Sequence, residues 1–331
     1  MGNMLGVAAV IAGGIALALL LSIPFSRPGP GKVPVSPQFF SWPVMGTVAE
    51  LDIRGTDEKT AEKARILTGD AFRLVEMNLS VFVTNSIVAR LNRGENVRVA
   101  DDGPFATVVR FALETAKASD GAFDPTVNPL MRVWGFRGGD PAIPSPSALT
   151  NALATVGWRR LGLSPTSGGD LLASSGGTEL DFGAIAKGYA VDCAYDALAA
   201  NGFTNFLINL GGNIRVCGSP EPGRSDWNIA VRDPFGRRPP SPLPRPLRSG
   251  EAVATSGSYE RFVEIKGRRY SHIIDPRTGL PVDNGLASVS VIAPTAMMAD
   301  AYSTTLFVLG REAGAAFLSA HLDCTAVFIG Q

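Results

Sequence analysis

The stretch Asp300-Ala-Tyr-Ser-Thr304 sets a carboxylate and two hydroxyls, Asp300, Ser303 and Thr304, at i, i+3 and i+4. On a helix that spacing puts all three on one face. Oxygen donors suit a hard cation such as Mg²⁺, and phosphate-binding loops also use a hydroxyl on Mg²⁺. The same spacing describes a solvated or locally hydrogen-bonded helix face, so spacing alone leaves both open. A second stretch, Leu180-Asp-Phe-Gly-Ala-Ile-Ala-Lys-Gly188, places Asp181 to cap a helix expected to start near Gly183. Free N–H groups at a helix start bind phosphate through their donors and the helix dipole. Lys187 would neutralise a further phosphate oxygen, and the two glycines let backbone approach a ligand closely. An ordinary capped amphipathic helix carries the same pattern.

Two further stretches hold titratable groups. Tyr270-Ser-His-Ile-Ile-Asp-Pro-Arg-Thr-Gly-Leu-Pro281 contains His272, one of only two histidines in the chain, the other being His321. At the end of a strand and just before an Asp-Pro turn, His272 has the type and place of a general base near neutral pH. It also fits a structural role. In Gly121-Ala-Phe-Asp-Pro-Thr-Val127, Asp124-Pro125 signals a turn in which Asp124 can accept hydrogen bonds from a ligand.

The elements that must carry these residues are expected as follows. Residues 48–53 alternate as a strand. Residues 57–77 read as a helix capped by Thr56 or Asp57, with Ala61, Ala64, Ile66, Ala71 and Leu74 on its apolar face. Helices are also expected over 104–118 and 145–156. Residues 206–210 and 214–217 flank Gly211-Gly212 as a tight hairpin or bulge at a strand edge, and 227–231 as a strand. Prolines 239, 240, 242, 244 and 246 make 236–248 a surface loop. Lys266-Gly267 turns a hairpin between 261–265 and 269–274. A strand over 287–292 precedes a helix over 295–309, which Gly310 stops. A helix over 315–322 and a strand over 324–329 complete the chain. Helices and strands mix without βα alternation. This predicts an α+β fold with mixed, largely antiparallel sheets and packed helices.

Composition bounds the function. The 331 residues include 30 basic and 30 acidic side chains, a formal net charge of zero. That excludes the basic footprint of a nucleic-acid binder. Three cysteines without a C-x-x-C pair argue against a disulfide framework or a zinc site. There is no G-x-S-x-G elbow, no G-x-G-x-x-G and no H-E-x-x-H. Residues 4–25 carry no charge, enough to span a bilayer or to serve as the apolar part of an export signal. Residues 1–26 are therefore expected to be a signal peptide or single membrane anchor, 27–40 a Pro/Gly-rich tether, and 41–331 the functional domain.

In order along the chain, seven stretches resemble the ApbE-like FAD:protein FMN transferase family. They are 45–47, 122–127 with 134–136, 181–188, 209–212, 254–257, 271–279, and 299–304. The resemblance spans about residues 41–330. It implies a two-lobed flavin transferase that moves FMN from FAD, through its phosphate, to a Thr or Ser hydroxyl of another protein, with release of AMP and dependence on Mg²⁺. It further implies that Met45, Ala122, Phe123, Asp124, Asp181, Lys187 and Ile273 contact FAD. Asp300, Thr304 and the Ala184 carbonyl would hold Mg²⁺, and His272 belongs to a motif linked to activity. Two positions depart from the family pattern. Phe82 stands near a position where a Ser-Thr-Tyr run is frequent, so it keeps an aromatic face for the flavin or adenine but loses a phenolic donor. Ser303 stands where some members have aspartate, which removes a charge from the metal set. The acceptor would be a membrane redox subunit outside the cytoplasm, with the enzyme exported to the periplasm or anchored in the inner membrane facing it. A non-catalytic FAD-binding maturation factor and an Mg²⁺-dependent FAD pyrophosphatase are the competing readings.

Overall fold

The computed structural model describes residues 36–331 apart from 139, 169–170, 175–176, 222, 225, 234–235, 237–238 and 260–261. The expected leader and most of the tether lie outside the described residues. Among the described residues no helix is long and apolar enough to cross a membrane.

The chain opens with β1 (Gln38–Val44), β2 (Thr47–Ile53), α1 (Glu58–Leu79), α2 (Ile87–Asn92), β3 (Val97–Val99), α3 (Pro104–Ala118), α4 (Asn128–Val133) and α5 (Pro146–Thr155). It continues through β4 (Gly162–Pro165), β5 (Leu171–Ser174), α6 (Ala186–Ala200), β6 (Phe206–Leu210), β7 (Asn213–Cys217), β8 (Ala230–Val231) and β9 (Ser241–Pro242). It closes with β10 (Ala252–Gly257), β11 (Phe262–Ile265), β12 (Arg268–Ser271), β13 (Leu286–Ala293), α7 (Ala296–Ser319) and β14 (Thr325–Gly330). The main sheet has seven strands in the order β1-β2-β6-β7-β10-β13-β14, each pair antiparallel. A three-stranded sheet, β3-β5-β4, and two short hairpins complete the strand set. The expected α+β class is the one observed. Within one compact unit of residues 35–331, a main hydrophobic core is joined by two smaller clusters.

Local chemistry explains the element limits. Asp57 caps α1 by accepting from the Thr60 N–H at 2.7 Å. Pro104 opens α3 at a position where a missing N–H costs nothing. Ser145 caps α5 through the Ala148 N–H at 3.2 Å. All eight residues of β13 are buried, Ser288 and Ser290 among them, so this strand is covered on both faces. Below α7, Gly310 adopts φ 78° and breaks the helix inside Ala296–Ser319, as a left-handed glycine does at a helix end.

Several expectations need correction. The buried face of α1 consists of Ala61, Ala64, Thr68, Ala71, Phe72, Val75 and Leu79. Ile66 and Leu74 are exposed, because Phe72 and Val75 rather than they complete the stripe that meets the core. The expected hairpin forms as β6–β7 and lies in the middle of the sheet, since β2 and β10 pair with its outer sides. Only Ala230–Val231 is strand in the 227–231 stretch; Trp227 makes an isolated bridge to Leu247.

Candidate active site

Helix α7 and the turn before α6 build the site. Asp192, on α6, accepts from the Ala296 N–H through Oδ1 and from the Met297 N–H through Oδ2, each at 2.8 Å. That satisfies two of the donors left open at the start of α7 and locks the two helices together. Gly188 then lets them touch: a Cβ placed there would sit 2.7 Å from the Asp300 Cβ and 2.6 Å from the Ala296 carbonyl carbon. The close approach brings the Gly188 N–H within 2.9 Å of Asp300 Oδ2. Lys187 Nζ lies 3.6 Å from Asp300 Oδ1 and donates to the Gly183 carbonyl at 3.1 Å. Asp300 is 4% exposed, so its carboxylate is held in a largely dry setting with an ammonium and an amide beside it.

Ser303 and Thr304 lie on the same side of α7 as Asp300. Ser303 Oγ donates to the Asp300 carbonyl at 2.9 Å. Ser256, from β10, contacts the hydroxyls of Ser303 at 2.8 Å and Thr304 at 2.9 Å. Ser303 is fully buried and Thr304 half-buried.

Asp181 does not cap a helix starting at Gly183. Helix α6 begins at Ala186, with Ile185 preceding it and no side-chain cap. Asp181 Oδ1 instead accepts from the Gly183 N–H at 2.8 Å, closing a turn. Its Oδ2 is gripped by Arg137, whose Nε donates at 2.6 Å and whose Nη2 donates as well. The same guanidinium lies 5.5 Å from the ring centroid of Phe82, a cation–π distance. Phe82 is 74% exposed, an unusual placement for a large aromatic and one that leaves its ring open to a planar ligand.

The Asp124 turn abuts this set, because the Asp181 N–H donates to the Pro125 carbonyl at 2.8 Å. Asp124 Oδ1 accepts from the Thr126 N–H at 2.8 Å and from the Thr126 hydroxyl at 2.6 Å, and Oδ2 accepts from the Trp158 N–H at 3.0 Å. Burial pushes the Asp124 carboxyl above its ordinary range, while these hydrogen bonds pull it back. Ala122 and Phe123 are buried in the main core. Across from them, Trp134 Nε1 donates to the Gly279 carbonyl at 2.9 Å, tying α4 to the Asp275–Gly279 turn that follows His272. His272 is half-buried just beyond β12, and Ile273 beside it is buried. Met45 has φ 50° in the β1–β2 turn and packs against the main core. Sequence spacing did not single out Arg137, Asp192 or Ser256. Arg137 and Ser256 lie beside or within recognised stretches, but their partners are distant in the chain.

An all-oxygen set with one carboxylate fits Mg²⁺, which keeps several waters and uses few protein carboxylates beside substrate phosphates. Among the described residues, no group of three or more His, Cys, Asp or Glu side chains forms a metal cluster of the kind zinc prefers.

The fold is an antiparallel α+β domain in which the turn before α6 and the start of α7 bring an ammonium, a backbone amide and a buried carboxylate together. The chain belongs to the ApbE family, whose model matches residues 45–328. It is 36% identical to the FAD:protein FMN transferase of Treponema pallidum over 302 residues, covering 86% of this chain and 82% of that one. It is 32% identical to the FAD:protein FMN transferase of Haemophilus influenzae over 316 residues, covering 92% and 88%. The fold matches the flavinyl transferase ApbE of Pseudomonas stutzeri with a TM-score of 0.77 and 32% identity over 89% of this chain and 92% of that one. It matches the ApbE protein of Thermotoga maritima with a TM-score of 0.78 and 30% identity over 88% and 94%.

Proposed function

We propose that this chain is an Mg²⁺-dependent FAD:protein FMN transferase. The observation that carries the reading is the junction at Asp300, where the Gly188 amide and the Lys187 ammonium of the 181–188 turn meet the carboxylate of α7. Anionic phosphate oxygens and a divalent cation both find partners there.

Lys187 binds a diphosphate oxygen of FAD, and the turn from Asp181 to Gly188 brings backbone close to it. Phe82 offers its exposed ring to a flavin or adenine plane. Asp300, Thr304 and the Ala184 carbonyl would hold Mg²⁺. When bound, the cation offsets the charge gathering on the diphosphate oxygens. The acceptor's Thr or Ser hydroxyl oxygen attacks the phosphorus on the FMN side. That P–O bond forms as the bond to the AMP phosphate oxygen breaks, and AMP leaves. His272 takes the hydroxyl proton as general base. The products are AMP and a protein carrying FMN through a phosphoester. The apolar segment 4–25 supports export or anchoring, and with it an acceptor met outside the cytoplasm, such as a membrane redox subunit.

Incubation with FAD, Mg²⁺ and a candidate acceptor domain tests the reading. Transfer gives a flavin-fluorescent acceptor band on a denaturing gel together with AMP. AMP released without acceptor points to hydrolysis. Bound FAD with neither product reduces the chain to a flavin-holding maturation factor and contradicts the proposal.

A further inference from the structure

Three hydroxyls and one carbonyl form a chain beside the candidate cation site, and its protons run in one direction. Each hydroxyl has a single proton to give. The Asp300 carbonyl can only accept, so the 2.9 Å contact from Ser303 Oγ uses the Ser303 proton. The 2.8 Å contact between Ser256 and Ser303 therefore uses the Ser256 proton. The 2.9 Å contact between Ser256 and Thr304 must then use the Thr304 proton. The order is Thr304 to Ser256 to Ser303 to the Asp300 carbonyl. Ser303 is 0% and Ser256 8% exposed, so no bulk water competes for the inner links.

We propose that this relay is a positioning device for the cation site, with Ser256 and Ser303 as positioning residues and Thr304 as the hydroxyl ligand. The inference rests on the reading of Asp300 and Thr304 as holders of a divalent cation. With its proton committed to Ser256, Thr304 Oγ1 keeps its lone pairs for a cation and cannot turn an O–H toward it. Ser303 gives its proton to a carbonyl, accepts another from Ser256 and is sealed from solvent, which removes it from the ligand set that its spacing suggested. Ser303 instead anchors the relay to the backbone of the residue that supplies the carboxylate. The arrangement ties ligand orientation on α7 to the position of β10.

Mn²⁺ binding to the flavin-free protein, followed by the loss of the free-ion electron paramagnetic resonance signal, tests this without reference to turnover. Ser256→Ala should weaken Mn²⁺ binding about tenfold or more, as loss of a residue that orients a ligand does. Ser256→Thr, which keeps the hydroxyl, should stay within about threefold of the unsubstituted chain, less than that outer-shell loss. Because Ser256 acts only through the Thr304 hydroxyl, Ser256→Ala combined with Thr304→Val should bind no more weakly than Thr304→Val alone. Additive losses in that cycle, or full binding by Ser256→Ala, would overturn the relay while leaving the cation site intact. An unsubstituted chain that binds no Mn²⁺ would overturn the relay and the cation reading together.

Discussion

Two carboxylates serve helix α7, and their surroundings differ. Asp192 reaches it from α6 and has both oxygens taken, by the amides of Ala296 and Met297 and by Arg215 Nη1, all at 2.8 Å. Arg215 is in turn held by the Gly250 carbonyl at 3.1 Å and lies 3.9 Å from the centroid of the Tyr195 ring. Asp300, little more than one turn into the helix, has one oxygen on the Gly188 amide at 2.9 Å. Among the described contacts its other oxygen faces Lys187 at 3.6 Å, beyond hydrogen-bond range. A buried carboxylate with hydrogen bonds on both oxygens fixes helices in place. One with an oxygen left to a distant ammonium keeps coordination capacity for a ligand. Under the proposed function, Asp192 is the structural carboxylate of this helix pair and Asp300 the chemical one.

Asp192→Ala should break that contrast most severely. It removes the partner of Arg215 and the acceptor of two α7 amides, so urea unfolding should show a loss of about 3–5 kcal/mol. Gly188→Ala comes next: its methyl group enters the space of Ala296 and Asp300. Overpacking of that kind costs about 1–3 kcal/mol, and Mn²⁺ affinity should fall with it as Asp300 is pushed away. The smallest effect sharpens the comparison with a third carboxylate. Burial raises the Asp124 carboxyl above its ordinary value of 3.8. The folded chain therefore holds that proton more tightly than the unfolded chain. The group's stabilising contribution is full below pH 3.8 and is lost as pH rises through the raised folded value. Asp124→Asn lacks this titration. The stability of the unsubstituted chain relative to that variant should decline as pH climbs above 3.8 through the raised folded value, by less than about 1.4 kcal/mol per pH unit. Urea curves for both chains across that span check the sign.

What could be read in the sequence was local. The Asp57 cap, the Pro104 start of α3, the Lys266-Gly267 turn and the break at Gly310 each follow from one or two neighbouring residues. So does the shared face of Asp300, Ser303 and Thr304, because helical spacing alone sets it. The misreadings came from tertiary partners. Nothing near Asp181 shows that Arg137, 44 positions away, claims its carboxylate and leaves α6 to start at Ala186. Nothing in the 206–217 hairpin shows that β2 and β10 enclose it. The buried stripe of α1 includes Thr68 and leaves Ile66 and Leu74 exposed, which a periodicity argument cannot tell from core. The spacing of Ser303 placed it beside Asp300, but only the fold shows that Ser256 is its partner.

Asp300→Asn gives the most direct test of the account, measured for both folding and chemistry. The amide can still accept from the Gly188 N–H, so urea stability should stay within about 1 kcal/mol, the scale of one altered hydrogen bond. FAD-dependent AMP release in the presence of Mg²⁺ and acceptor should fall on the order of a hundredfold or more, as expected when a main electrostatic partner of the transferring group is removed. A well-folded Asp300→Asn chain that releases AMP and labels its acceptor at the unsubstituted rate would contradict the claim that this carboxylate is the chemical one.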